Sequence, residues 1–336
     1  MKNITLLKGE GIGPEITESV LKVLEALKLD LNFEEQKIGK EALKLFDEVL
    51  PQETLNNITK NKIVLKAPYQ TEVGSGLPSV NVALRQRFEL YANVRPIKTL
   101  LPKQSKHGIL DFTIIRENTE DLYIGQEEVI KEDNEVIAIK KITRKASSEI
   151  SDFACKYAIA NNKNKVTSVH KANILKKSDG LFLKTFYETL KNYPNLKAED
   201  MIVDNVAMQL VINPQQFEIM VMPNLYGDIL SDLAAGLIGG LGLAPSANIG
   251  KNCAIFEASH GIAPDIAGKN LANPTALLLS ACLMLEHLNY HLASEQIKTA
   301  LQLTFENNYF TTDLGGNLST TEFTEKLISF LFLDSR

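Results

Sequence analysis

Apolar positions fall into two patterns that alternate along the chain. Short apolar runs are typical of buried strands, and apolar residues spaced three or four apart are typical of amphipathic helices. The runs predict strands at 3–8, 31–35, 63–66, 93–97, 111–115, 166–169, 201–203, 219–222 and 254–256. The spacing predicts helices at 15–27, 41–48, 53–61, 80–90, 148–161, 181–193, 293–306 and 321–333, and another hydrophobic helix before residue 288. Such alternation favours an α/β fold.

The stretch 219–250 is apolar and glycine-rich, and Asp228 and Asp232 are its only charged residues. Apolar residues with helical spacing accompany them at Ile229, Leu233, Leu237 and Ile238. Residues four apart share one helical face, so the two carboxylates repel each other and need a cation. No Lys or Arg is nearby in sequence, and carboxylate oxygens suit Mg²⁺ or Mn²⁺. The alternative is a solvated helical face near a favourable helix N-terminus.

The glycine-rich turn at residues 9–13 does not predict a Rossmann dinucleotide site. Its spacing is G-x-G-x-G, and Pro14 falls where a GxGxxG fingerprint would continue. A structural role accounts for the motif. The glycines make a tight turn, Pro14 lies in the first helical turn and Glu15 lies near the positive helix end.

Three arginines come at or near the ends of predicted elements. Arg85 lies in the helix that follows Ser79, a candidate N-cap, and Arg95 and Arg116 lie in or directly after strands. Guanidinium groups that converge hold a substrate with several carboxylates through bidentate contacts. Singly, each arginine is interpreted as a surface or ion-pair residue, and spacing alone does not show whether the three converge.

Other polar residues follow predicted strands. His170 and Lys171 follow the strand at 166–169, and Asp204 follows the strand at 201–203. α/β folds place ligand contacts at such positions. We interpret His170 as a hydrogen-bonded structural residue, and an exposed salt bridge is the alternative for Lys171. The long loop after 256 has the length of a functional loop.

The segment of about 122–145 predicts an oligomerisation arm. It reads as two strands around a polar turn at 131–135 and contains little that could be buried. A two-stranded arm is marginally stable alone and gains stability by pairing with another chain.

Composition narrows the class of protein. The 336 residues are 44% hydrophobic and 23% charged, which suggests roughly two domains, and the net charge of −5 argues against a nucleic-acid partner. The three scattered cysteines are read as buried residues in a reducing compartment. Neither a secretory signal nor a membrane span is predicted. We expect a cytoplasmic protein, or a mitochondrial-matrix one if the source is eukaryotic.

Several stretches, in order, resemble the β-decarboxylating dehydrogenases, which act on isocitrate, 3-isopropylmalate, homoisocitrate and tartrate. They are GEGIGPE, SVNVALR, LYANVRP, IRENTEDLY, VHKANI, MPNLYGDILSDLAAGLIGGLG, FEASHGIAPDIAGK and ANPTALLLS. The resemblance covers nearly the whole chain. It implies an isocitrate/isopropylmalate dehydrogenase-like two-domain α/β fold, not a Rossmann fold, with a β-arm for dimerisation.

The resemblance also implies the domain limits. A large discontinuous domain on the cofactor side would comprise 1–96 and 255–336. A small domain, 97–254, would carry the arm and the metal-binding helix, and the active site would lie in the cleft between the domains.

The site residues implied by the resemblance come from two chains. Asp228 and Asp232 would bind the metal with Asp204 of a second copy of the chain, and Tyr123 and the second copy's Lys171 would transfer protons. The residues implied to bind substrate are Ser79, Asn81, Arg85, Arg95, Arg116, Tyr123, Lys171 and Asn173. With Mg²⁺ or Mn²⁺ bound, the C2 hydroxyl would lose its proton through Lys171 and the C2 carbon would pass a hydride to nicotinamide. CO₂ would then leave, and Tyr123 would protonate C3.

The loop before the Arg85 helix indicates which acid is oxidised. Ser79, Asn81 and Arg85 match the S-x-N-x-x-L-R pattern of the isocitrate branch, whereas the isopropylmalate branch presents apolar residues there. We therefore expect oxidative decarboxylation of isocitrate to 2-oxoglutarate by a homodimer or a higher oligomer. Homoisocitrate and 3-isopropylmalate are the alternative substrates. A non-catalytic regulatory role within a hetero-oligomeric enzyme is the alternative of another class, and the complete set of catalytic residues argues against it.

The expected coenzyme is NAD. Asp265 can accept hydrogen bonds from the ribose hydroxyls but repels a 2′-phosphate. NADP-specific relatives have Lys-Tyr in place of Asp265-Ile266, and Tyr and Arg in place of Thr312 and Gly316. The residues expected to bind the cofactor are Thr71, Glu257, His260, Gly261, Ala263, Asp265, Ile266, Asn273 and Asp313. Glu72 and Ile262 depart from the common pattern of the family.

Overall fold

The structure is a computed structural model that describes residues 1–70, 79–101, 105–132 and 134–332. The chain forms two compact units. The first comprises Met1–Leu84 and Gly239–Arg336, and the second comprises Arg85–Ile238. Two ranges differ from the expected domain limits. Residues 85–96 were expected in the large domain and lie in the second unit, and residues 239–254 were expected in the small domain and lie in the first unit.

The strands and helices alternate along the chain. The strands are β1 (Lys2–Leu7), β2 (Leu31–Glu35), β3 (Ile63–Lys66), β4 (Ala92–Lys98), β5 (Asp111–Glu117), β6 (Glu127–Lys131), β7 (Glu135–Ala138), β8 (Lys165–His170), β9 (Lys197–Ile202), β10 (Ile219–Met222), β11 (Pro245–Ile249) and β12 (Ala254–Ala258). The helices are α1 (Gly13–Ala26), α2 (Gly39–Phe46), α3 (Gln52–Asn61), α4 (Val80–Arg87), α5 (Arg144–Ala160), α6 (Ser178–Leu190), α7 (Val203–Ile212), α8 (Asn224–Leu237), α9 (Thr275–His287), α10 (His291–Glu306) and α11 (Thr320–Phe330). The predicted α/β fold is confirmed, and the structure adds that its large sheet is mostly parallel.

In the first unit the strand order is β2-β1-β3-β12-β11. All neighbours are parallel except β11, which runs antiparallel to β12. The strands β3 and β12 are nearly continuous buried apolar runs, as expected for strands covered on both faces. Helices α1, α9, α10 and α11 pack together in this unit through buried residues such as Ile16, Leu277 and Leu301.

In the second unit the strand order is β4-β5-β10-β8-β9. Only β4 is antiparallel, so β5, β10, β8 and β9 end at one edge. The register pairs Met222 of β10 with Arg116 of β5. Arg116, the start of α8 and Lys171 are therefore all brought to the carboxyl edge of this sheet, where open α/β sheets bind ligands.

Two elements were not predicted from the sequence, α7 and β11. The predicted strand at 201–203 is the end of β9, and Val203 begins α7 at once. Asp204 therefore follows the end of β9 by two residues, as predicted, and lies in the first turn of a helix that was not predicted.

The predicted turn around Gly9 is confirmed. Gly9 and Gly11 have φ of +79° and +60°, and Pro14 and Glu15 lie in the first turn of α1. Glu15 also accepts hydrogen bonds from the backbone N–H groups of Asn270 and Ala272, at 3.3 and 3.0 Å. The motif therefore fastens a loop of its own unit.

The predicted two-stranded arm is also present. β6 pairs with β7 in antiparallel fashion, and every residue of both strands is exposed in the single chain. The three cysteines are buried and unpaired, as predicted. Over the part of the chain that the structure describes, no helix has both the length and the apolar character needed to cross a bilayer.

Candidate active site

Helix α8 carries Asp228 and Asp232 on a partly exposed face. The helix begins directly after β10, where Pro223 breaks the strand. Its buried face consists of Asn224, Gly227, Leu230, Ser231, Ala234 and Ala235. Ile229, part of the predicted apolar repeat, is 58% exposed, so that repeat does not form the inner face of the helix in this chain.

Arg116 reaches the aspartates from the end of β5. Its residue is 1% exposed, and its Nε donates to the Asn224 side chain at 2.9 Å while Nη1 donates to Asp228. The guanidinium carbon lies 4.9 Å from the centroid of the Tyr123 ring. A Cβ on Gly227 would lie 2.4 Å from Arg116 Cγ, so the arginine stem passes where only glycine leaves room.

Arg95 approaches the same helix from β4. Its Nε donates to the Asn93 side chain at 2.8 Å, and its Nη1 donates to Ser231 Oγ and, at 3.2 Å, to Asp232. Its Nη2 lies 3.6 Å from Asp228. The cations that compensate the two aspartates therefore come from two strands far away in sequence.

The three arginines converge electrostatically. Burial, and next the charges of Arg85 and Arg95, lower the pKa of Arg116 to about 10. Although burial opposes ionisation of Asp228, the guanidinium of Arg116 and the hydroxyl of Tyr123 hold its pKa below the usual range. The group of Arg85, Arg95, Arg116, Asp228 and Asp232 is called the arginine–aspartate cluster below.

Asp232 and Tyr123 occupy less favourable positions for a negative charge. Burial raises the pKa of Asp232, and the neighbouring Asp228 raises it further against the opposing charge of Arg95. Tyr123 donates its hydroxyl to Asp228, and burial and this bond raise its pKa. Tyr123 therefore keeps its proton at neutral pH and is placed to donate it.

Lys171 and Asp204 form a separate ion pair. Lys171 follows β8, and its Nζ bonds the carboxylate of Asp204 in the first turn of α7. The side chain of Asp204 is 68% exposed. Asn173 is exposed in the turn that follows Lys171. Among the described residues of one chain, no three acidic, histidine or cysteine side chains are grouped so that they could hold a metal ion.

His170 is a structural residue, as predicted. It is 5% exposed, its Nδ1 accepts from the Ala172 backbone at 3.0 Å, and its Nε2 lies 3.0 Å from Asp200. Because Nδ1 accepts, Nε2 carries the proton that bonds Asp200.

The predicted substrate-specificity residues lie at the start of α4. Ser79 Oγ lies 3.5 Å from the Val82 backbone nitrogen, which is the geometry of a weak N-cap. The side-chain oxygen of Asn81 is buried and has no hydrogen-bond partner among the described residues. Buried polar atoms of this kind usually have a partner, so this oxygen is suited to a ligand.

In the first unit, a second group of predicted site residues comes together. The Asn273 side chain donates to Asp313 at 3.0 Å, and Thr311 donates to the other oxygen of Asp313. Burial lowers the pKa of His260, while the charge of Asp313 partly opposes this. His260 Nε2 is buried without a hydrogen-bond partner in the described part of the chain.

The remaining cofactor candidates are spread over one loop and one strand. Asp265 is exposed and Ile266 half-buried in a short 3₁₀ turn that follows Ala263, whose φ is +39°. Gly261 is exposed in the same loop. Glu257 lies in β12, where it pairs with the buried Lys66 and accepts from Asn248 at 2.7 Å. Thr71 lies outside the described residues.

Sequence reasoning missed the neutral residues that hold the arginines. Asn93, Asn224 and Ser231 accept from Arg95 or Arg116, and Gly227 gives Arg116 its passage. Three of them lie in α8, at positions 224, 227 and 231, which share a helical face. That spacing of small and polar residues was the available signal.

Comparisons with known proteins identify the family of the chain. The family model described as isocitrate/isopropylmalate dehydrogenase matches residues 3–327. The chain is 47% identical over 331 residues to a mitochondrial regulatory subunit of NAD-dependent isocitrate dehydrogenase from Dictyostelium discoideum, covering 98% of this chain and 91% of that protein. It is 48% identical over 328 residues to 3-isopropylmalate dehydrogenase of Methanothermobacter thermautotrophicus, covering 98% of each.

A solved structure gives the same result for the fold. The crystal structure of isocitrate dehydrogenase from Methylococcus capsulatus superposes with a TM-score of 0.95 at 44% identity, covering 98% of this chain and 99% of that one. The predicted resemblance is confirmed: the chain belongs to the isocitrate/isopropylmalate dehydrogenase family, whose members are β-decarboxylating dehydrogenases.

Proposed function

We propose that this chain is a catalytic NAD-dependent isocitrate dehydrogenase that oxidises and decarboxylates isocitrate to 2-oxoglutarate with Mg²⁺ or Mn²⁺. The observation that carries the proposal is the arginine–aspartate cluster with the Tyr123 hydroxyl on Asp228. It combines cations for substrate carboxylates, oxygen ligands for a metal, and a protonated acid at one place.

The arginines suit a substrate with several carboxylates. Arg116 is nearly fully buried and its Nη2 has no hydrogen-bond partner among the described residues, so it retains a donor for a ligand. A carboxylate bound there would be held by charge-assisted bonds. Asn81 and Arg85 lie four residues apart on one face of α4, which adds a polar group beside a cation.

The polar start of α4 favours isocitrate over 3-isopropylmalate. Ser79 and Asn81 offer hydrogen-bonding groups where an isopropyl group needs apolar contacts. The buried Asn81 oxygen has no partner among the described residues, and an alkyl group beside it would leave it without one. Homoisocitrate differs from isocitrate by one methylene, which is worth only about 1–3 kcal/mol in a pocket, so some overlap is expected.

The donor set of α8 fits a divalent metal ion. Asp228 and Asp232 offer carboxylate oxygens one helical turn apart, and the metal would take these oxygens when substrate carboxylates engage the arginines. When bound, such an ion stabilises negative charge on the oxygen at C2. Asp204 of a second copy would supply the third carboxylate.

The chain's own residues would move the protons. Tyr123 keeps its hydroxyl proton at neutral pH and would donate it to C3 after CO₂ leaves. Lys171 of a second copy would accept the proton of the C2 hydroxyl. NAD, when bound, accepts the hydride.

The first unit fits NAD better than NADP. Asp265 is exposed and free of a basic neighbour in the sequence GIAPDIAG, so it would accept from ribose hydroxyls and repel a 2′-phosphate. A Cβ at Gly316 would lie 2.0 Å from the Phe310 carbonyl oxygen, so this backbone leaves no room for the arginine of NADP-specific relatives. The orphaned His260 Nε2 offers a further cofactor contact.

A homodimer accounts for the exposed apolar side chains of α7 and α8. Met208, Val211, Ile212 and Ile229 are 49–65% exposed in the single chain. Clusters of exposed apolar residues are typical of interaction surfaces. A second copy that covers them would bring its Lys171 and Asp204 to the arginine–aspartate cluster.

Steady-state kinetics would test the substrate and coenzyme. Isocitrate, homoisocitrate and 3-isopropylmalate would each be assayed with NAD and with NADP. We expect the highest kcat/KM with isocitrate and NAD. A higher kcat/KM for either rival acid would contradict the substrate assignment, and it is the similarity to 3-isopropylmalate dehydrogenase that makes this comparison necessary.

The similarity to a regulatory protein makes a non-catalytic role the second candidate. Mixing two inactive variants, Lys171→Met and Asp232→Asn, would test both catalysis and shared sites. If each site uses Lys171 from one chain and Asp232 from the other, random reassociation restores about a quarter of the native activity. No recovery in demonstrated mixed dimers would contradict shared sites, and an inactive native protein would favour the regulatory role.

A further inference from the structure

A buried network lies beneath Lys171 in the second unit. Asp179, in the first turn of α6, is 0% exposed. Its Oδ2 accepts from the Lys171 backbone N–H at 2.7 Å and from the Tyr226 hydroxyl at 3.0 Å. The Lys140 ammonium lies 2.6 Å from Oδ1. One carboxylate therefore contacts the main chain of Lys171, helix α8 through Tyr226, and a buried cation.

Lys140 extends the network to the foot of the β6–β7 arm. It follows β7 closely, its side chain is 14% exposed, and its ammonium lies 4.3 Å from the centroid of the Tyr226 ring. It also lies 3.7 Å from Asp121, whose Oδ2 accepts from the Leu225 backbone at 2.9 Å in the first turn of α8. The arm, the start of α8 and the segment after β8 thus meet at one group of charges.

Such a group contributes more to geometry than to stability. A buried ion pair costs desolvation that its attraction only partly offsets. Its directional bonds, however, fix the main chain of Lys171 relative to the helix that carries Asp228 and Asp232. His170, the preceding residue, is held separately by Asp200 and by the Ala172 backbone. Asp179 bonds both the Lys171 backbone itself and α8.

We propose that Asp179 is a positioning residue that acts through Lys171, and that Lys140 and Tyr226 hold its carboxylate in place. The inference rests on the proposed function, because it takes Lys171 to be the proton acceptor. Proton transfer needs heavy atoms within hydrogen-bond reach, and a displacement of about 1 Å can cost about 100-fold in rate. Loss of the Asp179 charge would leave Lys140 with only the more distant carboxylate of Asp121, at 3.7 Å, and would loosen the hold on the Lys171 backbone.

The second unit contains a matched control network of the same residue types. Tyr193 donates to Asp152, and Lys156 lies 2.7 Å from the same carboxyl group. This trio joins α5 to the end of α6 and contacts none of the cluster residues in its hydrogen bonds. Asp152→Asn therefore removes a carboxylate that has the same kinds of partner, although its side chain is 39% exposed, without touching the segment of Lys171.

The experiment compares Asp179→Asn with Asp152→Asn in the full-length protein with isocitrate, NAD and Mn²⁺. We expect Asp179→Asn to lower kcat about 10- to 100-fold with KM changed less than about threefold. The Asp152→Asn variant should stay within about twofold of native kcat. Equal losses in the two variants, or a loss confined to KM, would overturn the positioning role.

A double-mutant cycle with Lys171→Met separates this inference from the proposed function. If Asp179 acts through Lys171, adding Asp179→Asn to Lys171→Met lowers the residual kcat by less than about twofold. Additive losses would overturn the positioning role alone. Full activity of Lys171→Met would overturn the proposed catalytic role of Lys171 itself.

Two further variants keep the proposal testable if Asp179→Asn does not fold. Tyr226→Phe removes the hydroxyl that donates to Asp179 and accepts from Lys140, and it keeps the ring beside Lys140. We expect a smaller loss of kcat and a changed pH profile of kcat. Asp179→Glu keeps the charge and should recover part of the activity lost in Asp179→Asn or, if that variant is unfolded, recover folding with reduced kcat. A native pH profile and native kcat in Tyr226→Phe would overturn the role given to Tyr226 and Asp179.

Discussion

The arginine–aspartate cluster of the second unit and the Asn273–Asp313–His260 group of the first satisfy their polar atoms in different ways. In the cluster, opposite charges compensate one another, and buried neutral side chains fix the arginines. In the first unit, the Asp313 carboxylate accepts hydrogen bonds from the uncharged side chains of Asn273 and Thr311. One imidazole nitrogen of His260 lacks a partner among the described residues, and Asp265 is exposed.

This difference predicts how each region responds to change. In the arginine–aspartate cluster, the charges depend on one another. If one side chain is moved or replaced, the charge that it paired with is left uncompensated and function is lost. Asp265, a single exposed carboxylate, can be replaced with little effect on folding. We therefore expect its replacement to change the choice of coenzyme and not the stability. The following variants test that contrast.

Arg116→Lys should give the largest effect. A lysine keeps the charge but cannot donate to Asn224, Asp228 and a substrate carboxylate with a planar fork. We expect kcat/KM for isocitrate to fall on the order of 100-fold, measured by initial rates. Arg144→Lys is the control, because Arg144 makes an exposed pair with Glu188 and should stay within about twofold. Similar values in both variants would contradict the role of Arg116.

Gly227→Ala should disturb the same cluster by shape alone. The added Cβ would lie 2.4 Å from Arg116 Cγ, and such overpacking costs about 1–3 kcal/mol of unfolding free energy. Gly180→Ala in α6 is the matched control, because its Cβ would meet nothing within 4 Å. This substitution should stabilise the protein by up to about 1 kcal/mol. Urea unfolding of the two variants would measure these changes. Equal unfolding midpoints would contradict the expected clash, because they would show that α8 moves to make room for the new Cβ.

Asp265→Lys combined with Ile266→Tyr should change coenzyme choice and leave folding intact. The lysine would attract the 2′-phosphate that Asp265 repels. We expect the ratio of kcat/KM for NADP to that for NAD to rise by at least about tenfold, which corresponds to about 1.4 kcal/mol. An unchanged ratio with a native unfolding midpoint would contradict the NAD assignment of this loop.

The pH dependence of stability should show the smallest effect, through His260. Burial holds the folded-state pKa of His260 below its value of 6.5 in the unfolded chain. Its contribution to stability is therefore complete above about pH 6.5 and is lost as the pH falls through the lower folded-state pKa. His260→Gln should flatten the acid-side fall of urea midpoints, whereas His291→Gln, at an exposed position, should not. Identical profiles of the native protein and His260→Gln would contradict this.

Sequence patterns were sufficient for most of the elements but not for the contacts between them. β2 and β3 have the predicted limits because their apolar runs end at polar or proline-containing turns. β11 was missed because it is a short run beginning with proline, and its pairing with β12 is a tertiary feature. The apolar repeat of α8 correctly indicated a helix, but its members differ in burial, since Ile229 is 58% exposed and Ile238 is 3% exposed. Periodicity alone does not distinguish a core face from a surface left exposed in one chain.

The candidate site shows the same limit. The sequence indicated the chemistry of Asp228, Asp232 and the arginines, but no local pattern relates Arg95 on β4 to Ser231 on α8. Such contacts depend on strand order, which brings β4 and β5 beside β10. The resemblance to a known family, and not the spacing of residues, indicated that these side chains belong to one site.

The β6–β7 arm has a consequence for the handling of the protein. Its strands are exposed along their whole length in the single chain, and lysines lie in it at 131 and directly behind it at 140 and 141. If a second copy covers the arm as proposed, a protease such as trypsin should cleave this segment readily in dissociated chains and slowly in the assembled protein. Limited digestion across a dilution series would then report the state of assembly before any loss of activity is seen.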